Sequence, residues 1–226
     1  MLAEMARFYK EGGTLILVNS VTWIIAIAIS IDRTIALMFR YNINANAFMA
    51  QVQKLVMANN IDRAIKLCNA APAAALPKVV KAGLTRANKG AVEIQNAMEE
   101  ATLEVVPEIQ KRTQSLWTIA NLATLIGLVG TILGLINCFR AVGLATPDQK
   151  SRILGEGIAE AMNNTAYGLT IAIYCMIFHL VLTNSTKKII EDIDQYSVKL
   201  ENLLIARNKG ALPQASQQQV AEQRPA

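Results

Sequence analysis

The stretch that decides the fold is LATLIGLVGTILGLINCF (residues 122–139), and it is followed at residues 157–173 by GIAEAMNNTAYGLTIAI. Both stretches are apolar enough to cross a membrane, yet they carry glycine, threonine, asparagine and glutamate where lipid-facing helices would carry leucine. Hydroxyl, amide and carboxyl groups are costly in hydrocarbon unless they face protein or water. We therefore expect these two helices to pack closely and to line a polar path, which indicates ion conduction or its coupling to work.

The composition supports a membrane protein with three spans. The chain has 226 residues, of which 53% are hydrophobic and 17% charged, whereas soluble domains have about 25% charged residues. We predict spans at residues 14–31, 116–139 and 158–182. The first span is followed by Asp32 and Arg33 rather than by a small-residue cleavage site, so we interpret it as an uncleaved anchor.

The distribution of lysine and arginine predicts the orientation. Eleven of these residues lie between residues 32 and 115, six lie after residue 183, and five lie in the remaining segments. An excess of positive charge marks the cytoplasmic side of a membrane protein. We therefore expect the long loop and the tail to be cytoplasmic, and residues 1–13 and the loop at 140–157 to lie outside.

The predicted cytoplasmic parts look helical. Apolar residues recur at helical spacing over residues 44–69 and again from Ala91 onward, and Pro72 and Pro77 punctuate an Ala-rich connection between them. We expect the helix from Ala91 to run into the second span, with Pro107 as the site of interruption or kink. The third span should continue as an amphipathic helix over 183–209, before a disordered tail at 210–226.

These elements together define the predicted fold class. The chain should be an all-α integral membrane protein with three transmembrane helices, two of them extended into a cytoplasmic helical bundle. We see no internal sequence repeat, so the spans and their extensions form one architectural unit.

The second span carries a stripe of residues at steps of three or four along one helical face. The stripe consists of Asn121, Thr124, Leu128, Thr131 and Leu135, and beside it lie Gly127, Gly130 and Gly134. Gly130 and Gly134 form a GxxxG pair, which lets helix backbones approach closely, so we favour packing for the glycines. For Thr131 two interpretations stay open: it lines a polar path, or its hydroxyl bonds back to a main-chain carbonyl.

The third span opens with a stripe formed by Glu160, Asn164 and Tyr167 or Gly168. Thr165 lies about 140° round the helix from Glu160, at about 100° per residue. Glu160 is either an interfacial carboxylate or a proton-exchangeable group at the mouth of a polar path. A carboxylate at mid-bilayer costs about 2.5–3.5 kcal/mol, which would favour neutralisation, water or a cationic partner.

The remaining candidate residues indicate structural roles. We interpret Asp32 and Arg33 as an interfacial pair at the cytoplasmic boundary, and His179 as an interfacial or packed imidazole rather than a proton relay. The three cysteines have no CxxC spacing and His179 is the single histidine, so no metal site or cofactor is predicted. No nucleophile–base pair or phosphate-binding loop is found, so we do not predict an enzyme. The aromatic residues do not interleave with the basic residues as stacking platforms would, so we do not predict nucleic-acid binding either.

The motifs resemble those of a known family. The chain resembles the ExbB/TolQ/MotA proton-channel family, closest to its ExbB and TolQ branch. The similarity lies in the first span, SVTWIIAIAISIDRTIAL (residues 20–37), in the second-span core G-L-x-G-T-x-x-G, and in the third-span core G-I-A-E-A followed by T-A-x-G-L. The loop lacks the large insertion expected of flagellar stators. Thr124 and Tyr174 stand where many members have proline, so helix kinks there do not carry over.

The resemblance assigns roles to particular residues. Thr131 and Thr165 match the pore-facing threonines, and Glu160 matches the acidic residue of the third-span motif. The expected site is therefore a proton path and partner contact at Thr131, Thr165 and Glu160, with helix packing at Gly127, Gly130, Gly134 and Gly168.

The resemblance also implies partners and a location. Members form a pentameric ring around a dimer of a single-span protein of the ExbD or TolR kind, which supplies the membrane aspartate that takes up and releases protons. The chain would lie among the lipids of a bacterial inner membrane, with its N-terminus periplasmic and its C-terminus cytoplasmic.

The function implied is a motor subunit that converts proton motive force into mechanical work. Energised outer-membrane transport, envelope maintenance, gliding and secretion are all open as the driven process, and sodium stays open as the coupling ion, although the threonine-lined branch favours protons. The alternative is a non-conducting membrane scaffold. An enzyme that uses Glu160 as general acid or base is disfavoured, because no second catalytic group lies at a suggestive spacing.

Overall fold

The computed structural model describes residues 13–41 and 43–208, and all regular structure in this part of the chain is helical. The predicted all-α fold class is therefore confirmed. The helices are α1 (Gly13–Ile35), a π-helical segment (Ala36–Tyr41), α2 (Ala45–Met57), α3 (Ile61–Asn69), α4 (Ala75–Thr85), α5 (Ala91–Gln110), α6 (Thr113–Leu144) and α7 (Pro147–Asn208).

The described residues divide into two compact units. The spanning unit comprises residues 13–35 and 111–184, and the helical unit comprises residues 36–110 and 185–208. Three stretches, Leu15–Met57, Ala91–Leu144 and Pro147–Asn208, are long and apolar enough to cross a membrane. They include the predicted second and third spans and all but the first residue of the predicted first span.

The spanning unit has apolar side chains outside and polar side chains inside. Ile24, Leu125 and Leu180 are more than half exposed, whereas Asn19 and Ser30 are buried. In water, the exposed apolar side chains would be unfavourable, whereas in lipid they are not. Lipid offers no hydrogen-bond partners, so the polar side chains must lie inside the protein and find partners there. The pattern of burial fits a bilayer as the surrounding solvent.

The connection between the second and third spans is shorter than expected. We expected a loop over residues 140–157, but α6 continues to Leu144 and α7 begins at Pro147. Proline suits the first position of a helix because its missing N–H is not needed there, and Asp148 lies favourably in the first turn. Most of the expected loop is therefore helical.

The interruption before the second span lies elsewhere than expected. We expected one helix from Ala91 into the span with a break or kink at Pro107, yet Pro107 lies inside α5, which ends at Gln110. The break falls before Thr113, where Arg112 has a φ of 64°. A left-handed residue cannot continue a right-handed helix, so the backbone at Arg112 ends one helix and allows the next to begin.

The helical unit is built from short helices around an apolar core. Asn44 caps α2 by accepting a hydrogen bond from the Ala47 N–H, and Asn59, with a φ of 57°, stands between α2 and α3. Asparagine tolerates this left-handed conformation better than most residues. The Ala-rich connection is shorter than expected, because α4 begins at Ala75 and contains Pro77 in its first turn.

The core of this unit is made of aliphatic side chains from several helices. Fully buried members include Val52, Val79, Ile94, Ile193 and Leu200. The Tyr196 hydroxyl also donates a hydrogen bond to the Asn46 side chain. The predicted disordered tail at 210–226 and residues 1–12 of the predicted N-terminal segment lie outside the described residues.

Candidate functional site

The contact between α6 and α7 is built from small residues. A Cβ added to Gly130 would lie 2.8 Å from the Cβ of Asn164, and one added to Gly134 would lie 3.0 Å from the Cβ of Ala161. Such distances leave no space for a side chain, so the glycines permit the close approach. The contacts follow an antiparallel register: Gly127 lies against Gly168, Gly130 against Asn164, Gly134 against Ala161, and Cys138 against Gly157.

The tightest main-chain approach in this contact is at Gly168. A Cβ there would lie 2.6 Å from the carbonyl oxygen of Ala123 and 3.1 Å from the Cα of Gly127. Backbone atoms cannot move aside as the end of a flexible side chain can. The geometry therefore gives a physical reason for glycine at position 168.

Two threonines meet at the middle of this contact. The Oγ1 atoms of Thr131 and Thr165 lie 3.2 Å apart. The Thr131 hydroxyl donates to the carbonyl of Leu128 at 2.6 Å, and the Thr165 hydroxyl donates to the carbonyl of Gly127 at 3.2 Å. The back-bonding interpretation of Thr131 is thus present in the structure together with the contact to Thr165.

The arrangement determines what the two hydroxyls can do. Each hydroxyl has one hydrogen and two acceptor lone pairs. Their hydrogens are directed to main-chain carbonyls or to each other, so an additional group at this point would be bound through oxygen lone pairs. The pair, which is half-buried, is therefore suited to accept a hydrogen bond from water or from a protonated carboxyl group.

Glu160 is not part of this cluster. Its side chain is exposed, and it lies about 140° from Thr165 around α7, at about 100° per residue. The structure thus brings Thr131 and Thr165 together and leaves Glu160 on another face of the same helix.

A second polar cluster joins α1 to the other two spans, and sequence analysis missed it. The Nδ2 of Asn19 donates to the carbonyl of Ala123 at 3.3 Å, and Asn19 is only 2% exposed. The hydroxyls of Ser20 and Tyr167 lie 2.9 Å apart, and the rings of Trp23 and Tyr167 form an edge-on contact. The signal available in the sequence was the polar run at residues 19, 20 and 22 inside an otherwise apolar span.

A third polar cluster lies at the beginning of α6. Arg33 is 7% exposed, and its Nη1 donates to the carbonyl of Lys111 at 2.9 Å. The Nδ1 of His179 lies 3.0 Å from the carbonyl oxygen of Thr113. A carbonyl oxygen only accepts, so Nδ1 must carry the hydrogen and donate it. Arg33 therefore does more than mark a boundary with Asp32, and His179 is a packed imidazole with a defined acceptor.

The spanning unit is thus that of an all-helical membrane protein whose spans are joined by small residues, paired hydroxyls and buried polar side chains. The sequence model described as the MotA/TolQ/ExbB proton channel family matches residues 71–195. The match includes α6 and most of α7, and with them both threonines. The chain belongs to this family.

Individual relatives point to the ExbB and TolQ branch. The chain is 35% identical over 102 residues to the Tol-Pal system protein TolQ of Pseudomonas aeruginosa, covering 45% of this chain and 39% of the relative. It is 31% identical over 96 residues to the biopolymer transport protein ExbB of Aquifex aeolicus, covering 42% of this chain and 63% of the relative. The matched segments thus span less than two thirds of the length of these relatives.

A solved structure shares the fold. The structure of C. jejuni MotAB matches with a TM-score of 0.61 and 15% sequence identity, covering 87% of this chain and 77% of the matched chain. At this level of identity the similarity shows the fold alone.

Proposed function

We propose that this chain is the proton-channel and motor subunit of a bacterial inner-membrane complex that converts proton motive force into mechanical work. Its partner would be a dimer of a single-span protein of the ExbD or TolR kind, enclosed by a ring of five copies of this chain. Membership of a proton-channel family supports the general kind of function, and the relatives named ExbB and TolQ support the branch. The proposed role needs no enzymatic step and no cofactor.

The observation on which the proposal mainly rests is the hydroxyl pair of Thr131 and Thr165, held 3.2 Å apart within a contact between two apolar helices. Helices that only needed to pack could use glycine and alanine throughout. A hydroxyl pair instead offers oxygen lone pairs to a water molecule or a protonated carboxyl group. In the proposed mechanism the pair lines the path at the point where the partner's carboxyl group exchanges its proton.

The chain itself provides no proton-binding group near the middle of a span. Residues 14–31 and 116–139 contain no acidic residue, and the third span has Glu160 near its beginning. The partner's membrane aspartate would therefore carry the proton, while Glu160 shapes the electrostatic potential at the periplasmic side. One charge crossing 100 mV yields about 2.3 kcal/mol, which is enough to bias rotation of ring and partner relative to one another.

The proposed topology follows from the charge distribution. The N-terminus and the short connection between α6 and α7 would be periplasmic, and the helical unit with the C-terminus would be cytoplasmic, in agreement with the positive-inside rule. A C-terminal reporter that is protected from the cytosol would contradict this topology.

The function is tested by proton flux into vesicles that contain the complex purified with its native partner. Thr131→Val and Thr165→Val keep the size of the side chain and remove the hydroxyl, so we expect the double variant to lose proton uptake under an imposed potential. Thr170→Val is the matched control, because the Thr170 hydroxyl lies on the same helix as Thr165 and bonds the carbonyl of Ala166 at 2.8 Å. It should keep the wild-type flux.

Two results would contradict the proposal. If the double valine variant conducts as the wild type does, the hydroxyls do not line the path. If the wild-type complex, assembled and loaded with its partner, shows no more proton uptake than vesicles without protein, the chain is a non-conducting scaffold.

A further inference from the structure

Four main-chain carbonyls at or near α6 accept hydrogen bonds from side chains of the other two spans. Asn19 and Arg33 of α1 donate to the carbonyls of Ala123 and Lys111, respectively. From α7, Thr165 donates to the carbonyl of Gly127 and His179 to that of Thr113. The second span is thus bonded to each of its neighbours at two levels, once near its start and once near its middle.

Two bonds at separate levels define how one helix is placed along another. Apolar packing alone tolerates sliding and rotation, because dispersion contacts are non-directional and lipid offers similar contacts. A donor aimed at one particular carbonyl does not tolerate such movement, since hydrogen bonds weaken steeply with distance and angle. The pair of bonds on each side of α6 therefore selects one axial register for the span that carries Thr131.

The contacts at the start of α6 include a buried charged residue. Arg33 is buried although it is charged, and a buried charge needs satisfied hydrogen bonds to be tolerated. Its acceptor is the carbonyl of Lys111, which lies two residues before the first residue of α6. The next residue, Arg112, has a left-handed backbone conformation, and its side chain forms an ion pair with Asp32 at 3.3 Å. His179 bonds the first residue of the helix. Together these contacts determine where α6 begins.

We propose that Arg33 and His179 are positioning residues of the proton path, which fix the start of α6 and thereby hold Thr131 opposite Thr165. This inference rests on the proposed function for its biological meaning, but the placement it describes can be measured without proton flux. Neither residue contacts the threonine pair, so they act through the rigid helices α6 and α7.

The test is a disulfide between the two threonine positions. The native cysteines Cys68, Cys138 and Cys175 are replaced by alanine, Thr131→Cys and Thr165→Cys are introduced, and membranes containing the full complex are oxidised. After tryptic digestion, which cuts the chain at Lys150 and Arg152 between the two positions, mass spectrometry quantifies the peptides that a disulfide still joins. The two hydroxyl oxygens lie 3.2 Å apart, so we expect rapid cross-linking within one subunit when the register is native.

The informative variants differ only in the donor. His179→Phe keeps a ring and removes the donor, whereas His179→Asn keeps an amide N–H close to the position of Nδ1. Loss of one side-chain hydrogen bond is expected to lower the initial cross-linking rate about fivefold in His179→Phe, with His179→Asn close to the wild-type rate. Arg33→Leu should lower the rate at least as much, whereas Arg112→Leu, on an exposed side chain, should change it less than about twofold.

The rates distinguish positioning from simple packing. An unchanged rate in both His179→Phe and Arg33→Leu would overturn the inference, and so would equal losses in His179→Phe and His179→Asn, because then the ring and not its donor matters. If Arg33→Leu fails to assemble, the comparison of the two His179 variants decides alone. If the cross-linking rates change as expected but the wild-type complex shows no proton uptake, the positioning stands and the proposed function fails.

Discussion

The middle of the α6–α7 contact and the start of α6 hold the same helices by different means. In the middle, glycines bring backbones together and two short hydroxyls meet at 3.2 Å. At the start, the long side chains of Arg33 and His179 reach across to main-chain carbonyls. Small residues therefore set how closely the helices approach, and long polar side chains set how far along each other they lie. Three substitutions, each with a comparison variant, test this division.

The largest effect is expected in the middle, from Gly168→Ala. The added Cβ would lie 2.6 Å from the carbonyl oxygen of Ala123, so helices must separate, at a cost of about 3 kcal/mol in the free energy of unfolding. Gly155→Ala on the same helix is the matched control, since nothing lies within 4 Å of its added Cβ, and it should gain up to about 1 kcal/mol from helix propensity. Denaturation of the purified chain in nanodiscs measures both, and equal effects would show that the close approach at Gly168 is not required.

The next largest effect is expected at the start of α6, from Arg33→Leu. Removing the guanidinium leaves the Lys111 carbonyl without its buried donor and should cost about 2 kcal/mol. Arg112→Leu removes an exposed ion pair with the same Asp32 and should change stability by less than about 0.5 kcal/mol. The same denaturation experiment compares them, and a larger loss in Arg112→Leu would refute the assignment of Arg33 as the main contact.

A smaller effect on stability is expected from Thr165→Val. Hydrogen bonds between membrane helices contribute about 0.6 kcal/mol on average, so the variant should fold almost as stably as the wild type although we expect it to impair proton flux. Thr165→Ser keeps the hydroxyl and should restore flux. If Thr165→Val were as unstable as Gly168→Ala, the threonine pair would be a structural element of the contact and not a lining of the path.

The smallest effect is expected at Cys68, which lies in the helical unit, outside the two regions compared above. Burial raises the pKa of its thiol to about 11, so at pH 8 only about one molecule in a thousand carries the reactive thiolate. We expect negligible alkylation of Cys68 in the folded protein at pH 8, measured by mass spectrometry of the peptide that contains it. Rapid labelling at this pH would show that the site opens.

The same shift has a consequence for stability. The unfolded thiol titrates near 9 and the folded one near 11, so the folded state retains the proton over this range. The contribution of Cys68 to the free energy of unfolding is therefore complete below pH 9 and is lost as the pH rises from 9 towards 11. Cys68→Ala should remove this part of the pH dependence.

The middle of the contact could be predicted from the sequence because it leaves a periodic pattern. Gly127, Gly130 and Gly134 lie beside a stripe at helical spacing that includes Thr131, and such spacing translates directly into a shared face. The role of Thr165 came from the family resemblance and not from spacing. The three spans and the all-helical fold were predictable for the same reason, since long apolar stretches have few other solutions in a membrane.

The start of α6 could not be predicted in this way. The acceptors there are main-chain carbonyls, which every residue has, so the bonds of Arg33 and His179 leave no pattern in the sequence. Pro107 was the visible breaker, yet it lies inside α5, three residues before the end of that helix. The break instead falls at Arg112, whose left-handed backbone has no strong sequence signal. The separation of Glu160 from Thr165, by contrast, follows from helical periodicity alone, and the structure leaves Glu160 exposed.

The most direct test of the account is the composition of the intact complex. The chain is purified from its native membranes in mild detergent with lipids retained, and the assembly is weighed by native mass spectrometry. The account predicts five copies of this chain with two copies of a small single-span protein that carries an aspartate in its membrane segment. A homo-oligomer without such a partner, under conditions that keep lipids bound, would contradict it.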